Sequence, residues 1–254
     1  MTAEASVRRA LRDGVGLATF GTAGAAGALR RFPQMPLTRR GLGAAGAALA
    51  AGLAGTARTA FGQAATETVD VARLMQPGPL GDCVLGAPDA PVTVVEYASV
   101  TCPHCARFHT TTLPGLKDKY IDRGHMRLVF REFPLNQLDV AAYIFARCTL
   151  GAGRALGNQE RYFVYLDALF RRQREWATAA NPIVALADIA AEAGYARGDL
   201  EQCLRDQAIL DAVLHSRDRA VSEFGVNSTP TFFVNGRRAT GSDADLAALI
   251  GTLL

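Results

Sequence analysis

The chain has 254 residues, 49% hydrophobic and 20% charged, which suits a globular protein with an extension and excludes a wholly disordered or fibrous one. Its formal charge of +3 is unevenly held: residues 1–64 carry eight arginines against Glu4 and Asp13, a net +6, while the rest carries 19 basic and 22 acidic side chains, a net −3. A mildly acidic body argues against nucleic acid as a partner and leaves the basic charge to a leader.

Residues 1–34 are rich in Ala, Gly and Arg, lack core periodicity and precede Met35; they read as a disordered tail or a start placed too far upstream. Residues 35–65 read as an export signal. Thr38-Arg39-Arg40 is followed by an Ala/Gly/Leu run from Gly41 to Ala57 and by small residues at Ala60–Ala65. The paired arginines point to the twin-arginine route, although Gly41-Leu42-Gly43 is less apolar than such signals usually are. A general secretory signal with two arginines is the alternative. A membrane anchor is the weaker one, because Ala and Gly are too weakly apolar to hold a span.

After a polar lead (Thr66–Pro79), β-branched Pro91–Tyr97 predicts a strand, and a cysteine pair follows it directly. Phe108, Leu113 and Leu116 continue as a helix interrupted near Pro114. Met126–Phe133 predicts a second strand, with Leu128 and Phe130 alternating against Arg127, Arg131 and Glu132. From Asn136 to about Phe224 the period is helical. Val140, Ile144, Phe145 and Cys148 share one stripe, and Phe163, Leu166, Leu169 and Phe170 another. Ile183–Ala193 stops at Gly194. Asp199 reads as an N-cap for a helix with Leu200, Cys203 and Leu204; Leu210, Val213, Leu214, Val221 and Phe224 close the run. Thr231–Val234 is again strand-like, Asn235-Gly236 predicts a two-residue hairpin turn, and Ser242 would cap a last helix burying Leu246, Leu249, Ile250 and Leu253. The order β–α–β, helices, β–β–α predicts a mixed sheet split by a helical insertion.

Five cysteines in an exported chain suggest disulfides or thiol redox chemistry. Cys102 and Cys105 sit where a strand becomes a helix, so a thiolate there meets unpaired backbone N–H groups and the positive end of the helix dipole. Pro103 suits the first helical turn, and His104 adds a donor or positive charge. Cys102 is therefore the candidate attacking and leaving group, with Cys105 as the resolving thiol. Taken alone, the spacing also allows a structural disulfide or half a zinc site. Zinc would need a second ligand cluster, which His109 alone does not supply.

Cys102-Pro103-His104-Cys105 after the strand containing Glu96, together with Ser228-Thr229-Pro230-Thr231 near the end, resembles the DsbA-like thiol–disulfide oxidoreductases of bacterial envelopes. The resemblance covers about residues 80–254 and implies an α/β thioredoxin-like fold with an inserted all-helical domain. Its parts would be 66–134 and 216–254, with the insertion at 135–215. It also implies that Pro230 is a cis-proline, against the alternative of an ordinary turn proline, and that the Thr229 backbone pairs with the substrate chain. Glu96 would assist proton transfer at Cys105. A carboxylate in mid-strand would be desolvated, which raises its pKa, unless it points to solvent. Thr229 stands where the best-known oxidases have valine and resembles isomerases and reductases there, while Pro103-His104 argues for an oxidase.

Some DsbA-like proteins carry a second disulfide where Cys148 and Cys203 lie; two buried free thiols are the alternative. Cys83 is left unpaired. The resemblance implies no cofactor beyond the redox-active disulfide, unfolded exported proteins as substrates, a membrane redox partner and a periplasmic location. No metal is expected, and the polar lead is too short for the oligomerising segment usual in isomerases, so a monomer is expected. The rivals are an isomerase or reductase using the same pair and a binding module with a structural CxxC. His109, His125 and His215 read as surface or capping residues, and Arg171-Arg172-Gln173-Arg174 as a solvated helix face.

Overall fold

The structure is a computed structural model describing residues 68–150, 159–239 and 243–254. The leader expected at 1–65 and the Ser242 cap lie outside those residues. Among the described residues, five strands form one mixed sheet in the order β1-β3-β2-β4-β5. These are β1 Cys83–Leu85, β2 Val92–Ala98, β3 Met126–Glu132, β4 Thr231–Val234 and β5 Arg237–Ala239. β2 runs parallel to β3 and antiparallel to β4, so the strand leading to the cysteines is central. β1 pairs antiparallel with β3 through Cys83 and Phe130. Sequence patterning missed it, because three residues are too few to show alternation.

The helices are α1 Val71–Leu74, a helical run α2 from Pro103 to Ile121, α3 Gln137–Cys148, α4 Gln159–Arg171, α5 Gln173–Ala177, α6 Pro182–Glu192, α7 Arg197–Cys203, α8 Gln207–Phe224 and α9 Asp243–Gly251. α2 is not broken at Pro114. It widens into π-turns at Phe108–Thr112 and Lys117–Ile121, and the first of these accommodates the N–H that proline lacks. Asp199 is not an N-cap: α7 begins at Arg197, and Asp199 lies in its first turn. Val221 leaves the expected stripe and is exposed.

One face of the sheet packs Val92, Val94, Leu128, Phe232 and Val234 against Phe108, Leu116, Leu246 and Ile250. On the other, Val95, Tyr97, Val129 and Phe233 meet Ala220 and Phe224 of α8. The largest cluster joins the sheet end to the helical insertion through Phe130, Tyr143, Tyr162, Phe170 and Trp176. The border expected after residue 215 falls inside α8. Ile209, Leu210 and Val213 of that helix pack with the insertion, and its last turns pack on the sheet. One continuous helix thus belongs to both parts.

The two charged residues that end β3 are not solvated, although they point to opposite faces of the sheet. Arg131 bridges Asp82 and donates to the Tyr97 hydroxyl at 2.9 Å, while Glu132 is bridged by Arg147 and accepts from Tyr162 at 2.8 Å. All four charges are shielded yet paired, the condition on which buried charge is tolerated. The β4–β5 turn matches its dipeptide: Asn235 and Gly236 have φ of 46° and 84°. A Cβ at Gly236 would also stand 2.5 Å from a Val71 methyl.

Candidate active site

Glu96 occupies the middle of β2, opposite Phe130 on one neighbour and Phe232 on the other. Beyond Ala98 the chain turns at Ser99–Thr101, where the Cys102 N–H donates to the Ser99 carbonyl at 3.2 Å. Cys102 is the N-cap of α2, with extended backbone and Pro103 in the first turn; its carbonyl accepts the Ala106 N–H. No side chain caps this helix, so the sulfur itself sits where a capping anion would.

The two thiols differ sharply. Cys102 is 8% exposed and its pKa is lowered from 9.0 to about 5. The main cause is the hydrogen bond from the Cys105 thiol, opposed by desolvation. A side-chain hydrogen bond from Thr229 and the backbone N–H groups of Cys105 and His104 add to it. Cys105 is fully buried, and its pKa is driven far above the ordinary thiol range, first by burial, then by the bond it donates to Cys102 and by the charge of Glu96. One sulfur is a thiolate at neutral pH and the other remains a thiol. That is the division of labour thiol–disulfide exchange requires.

The Thr229–Pro230 bond is cis, and this loop lies against the pair, with Cys102 Sγ 3.3 Å from the Thr229 carbonyl oxygen, to which it donates only as the protonated thiol. Thr231 Oγ1 donates to the Ser228 carbonyl at 2.7 Å and closes the turn. Cys102, Pro103, Cys105, Thr229, Pro230 and Glu96 therefore converge. His104 shares the turn, but its side chain is exposed and its backbone N–H is what faces the sulfur. Cys148 and Cys203 stand apart, bonded to each other with Cα atoms 6.0 Å apart, and join the ends of α3 and α7. Cys83 is a free, buried thiol whose pKa is pushed up to about 12, chiefly by burial.

Three site residues escaped the sequence. His109, expected at the surface, is 5% exposed, and its Nε2 lies 3.1 Å from both oxygens of fully buried Glu96. Its signal was the four-residue step from Cys105, which puts both on one helix face. Gln173 is not part of a solvated face: it is buried, and Nε2 donates to the Val100 carbonyl at 2.7 Å and the Cys102 carbonyl at 3.0 Å. Its arginine neighbours do lie outward, Arg171 pairing with Asp167 and Arg172 with Glu175 and Glu192.

Asp139 on α3 is fully buried and accepts from Ser99 Oγ, from Thr101 N–H at 2.8 Å, from Thr101 Oγ1 at 3.0 Å and from Leu135 N–H at 2.9 Å. Burial raises its pKa and these donors oppose the rise. In sequence it passes for an ordinary acidic residue in the first turn after the Asn136 cap. Asp139 and Gln173 clamp the loop before Cys102 from the insertion side.

Comparison with known proteins places this geometry in context. Residues 80–251 match the family described as thioredoxin. A Rickettsia bellii protein named "Putative protein-disulfide oxidoreductase" is 35% identical over 155 residues, 61% of this chain and 57% of that protein, so the match spans little more than half of the relative. "Probable disulfide bond formation protein D" of Bacillus cereus is 33% identical over 166 residues, covering 61% of this chain and 70% of that one. The crystal structure of Wolbachia pipientis alpha-DsbA1 superposes with a TM-score of 0.63 at 29% identity, covering 71% of this chain and 94% of that one.

Proposed function

The chain belongs to the thioredoxin family, among its DsbA-like thiol–disulfide oxidoreductases, and on that premise we propose that it is an envelope oxidase that donates its Cys102–Cys105 disulfide to exported proteins. The observation that carries this reading is the contrast between a Cys102 pKa of about 5 and a Cys105 thiol held far above its ordinary range. A stabilised thiolate favours the reduced form, so the oxidised form readily gives its disulfide away.

A thiolate of an unfolded exported substrate attacks Cys102 Sγ, forming a mixed disulfide and expelling Cys105 with the bonding electron pair. Cys105 takes up a proton, supplied by buried Glu96, whose charge acts on this thiol. A second substrate thiolate then attacks the mixed disulfide, leaving substrate disulfide and reduced Cys102–Cys105. The backbone of Thr229, beside cis-Pro230, pairs with the substrate chain as the exchange occurs. A membrane partner removes the two electrons and restores the bond. The Arg39-Arg40 signal supports the periplasm as the location, reached by the twin-arginine route. The chain acts as a monomer.

Titrating the pair against glutathione buffers tests the reading. A potential near the strongly oxidising end, ~−120 mV, is expected. A value nearer that of protein disulfide isomerase, ~−180 mV, would instead assign isomerase or reductase work, in keeping with Thr229. A bond that does not cycle would make the CxxC structural.

A further inference from the structure

Beneath the cysteines, His109 is held by a carboxylate on one edge and by aromatic rings around the rest. Both Glu96 oxygens lie 3.1 Å from Nε2. Phe170 of α4 stacks on the imidazole with centroids 4.0 Å apart and planes at 19°. Phe108 and Phe130 meet it edge-on at 5.4 and 5.7 Å. A ring that only filled the core would be better replaced by phenylalanine, since an imidazole and a carboxylate buried together both lose hydration. What the pair can do, and a phenyl ring cannot, is hold a proton away from water.

We propose that His109 is the proton reservoir of the resolving thiol, sharing one proton with Glu96 and passing it through the Glu96 carboxyl to Cys105 when the Cys102–Cys105 bond opens. The proposal deepens the oxidoreductase reading and rests on it. Attack on Cys102 Sγ forms the substrate–Cys102 bond, breaks Cys102–Cys105 and leaves the electron pair on Cys105 Sγ. That sulfur takes the proton, the imidazolium becomes neutral imidazole, and the Glu96 carboxylate is left as it began. Re-forming the disulfide runs the same path backwards. The electrons are those of the thiol–disulfide exchange, so no further oxidant enters.

Few other groups compete for this proton. Glu96 faces the imidazole from β2 and Cys105 lies one turn back on α2. Tyr143 of α3 senses Glu96, Cys105 and Asp139, but it commits its hydroxyl to the Ala98 carbonyl at 2.6 Å. The rings of Phe108, Phe130 and Phe170 carry no charge. His109 does not touch the reacting sulfurs; it is a positioning residue that acts through Glu96.

Single turnover of the reduced protein with oxidised glutathione separates the relevant steps. Cys102 thiolate first attacks and releases one glutathione; Cys105 then loses its proton, resolves the mixed disulfide and releases the second. His109→Gln keeps a donor for Glu96 but cannot carry a proton, so a purely structural partner would be replaced without kinetic loss. The expected result is an unchanged first release and a second release slowed by about 100-fold. Its pH dependence should also flatten, since the group that exchanges the proton is gone. A second release at the wild-type rate with the wild-type pH profile overturns the role. Imidazole nitrogen shifts in the wild-type protein give a test independent of any variant. At one pH they should differ between disulfide and dithiol forms, and identical shifts overturn the relay. A wild-type protein that releases neither glutathione overturns the redox reading, and this role with it.

Discussion

The lowered pKa of Cys102 makes a quantitative demand on the reduced protein, and Cys102→Ser removes its source. Folding lowers this thiol from 9.0 to about 5. A depressed folded-state pKa adds stability that is complete above the unfolded value and is lost as pH falls through the folded one. At pH 7 the lowering stabilises by at most about 2.7 kcal/mol, less whatever solvent screening removes, and at pH 5 by at most about 0.4 kcal/mol. Urea unfolding of the reduced wild-type protein should therefore lose up to about 2.3 kcal/mol more between pH 7 and 5 than reduced Cys102→Ser, whose hydroxyl does not ionise there. The same thiolate makes the disulfide about 60 mV more oxidising at pH 7 than a pair with an ordinary thiol. Equal pH-dependent losses in the two proteins would refute the reasoning, because the thiolate would then gain nothing from the fold.

Cys105→Ser should trap a mixed disulfide through Cys102, seen by mass spectrometry, and alkylation of the wild type at about pH 6 should label Cys102 alone. His104→Leu should raise the Cys102 pKa by less than about one unit, read from thiolate absorbance, because the backbone N–H facing the sulfur is retained. Gln173→Ala strips a donor from the buried Val100 and Cys102 carbonyls; a loss of about 1–3 kcal/mol in urea unfolding is expected. Cys148→Ser opens a cross-link across 55 residues and should cost up to about 4 kcal/mol of the oxidised protein's stability while glutathione exchange continues. A Cys148→Ser protein that cannot fold would contradict the idea that the insertion packs without its bond.

Sequence chemistry located the reacting atoms because those atoms are determined locally. A cysteine at a helix start, a proline after it and a turn before Thr231 each announce themselves within a few residues. The strand–helix–strand order was legible for the same reason, down to both positive-φ residues of the hairpin turn. What was illegible is what depends on contacts across the chain. Gln173 lies between arginines that do face solvent, and only the way α5 lies over the loop before Cys102 turns it inward. Arg131 and Glu132 close β3 as two adjacent charges, which read as a solvated strand end. Their burial follows from Asp82 and Arg147, 49 and 15 residues away, arriving to pair with them. His109 was hidden by rarity of context, since a histidine beside threonines resembles a surface residue until Phe170 covers it.

The missed residues share an origin that says what the helical insertion contributes to the chemistry. Asp139, Gln173 and Phe170 all come from it, and each meets a part of the site supplied by the thioredoxin-like portion. Asp139 holds the Thr101 N–H and Gln173 the Val100 and Cys102 carbonyls, so the turn into α2 is fixed before any substrate arrives. The hydrogen bonds from the His104 and Cys105 N–H groups to a Cys102 thiolate depend on that turn. An amide that must reorient to meet a new charge stabilises it less than one already aimed. Phe170 stacks on His109, the buried partner of Glu96, and in those dry surroundings the Glu96 charge acts on the resolving thiol with little screening. The insertion thus acts on both sulfurs in opposite senses: it steadies the donors that favour a thiolate at Cys102 and maintains the dry surroundings that oppose one at Cys105.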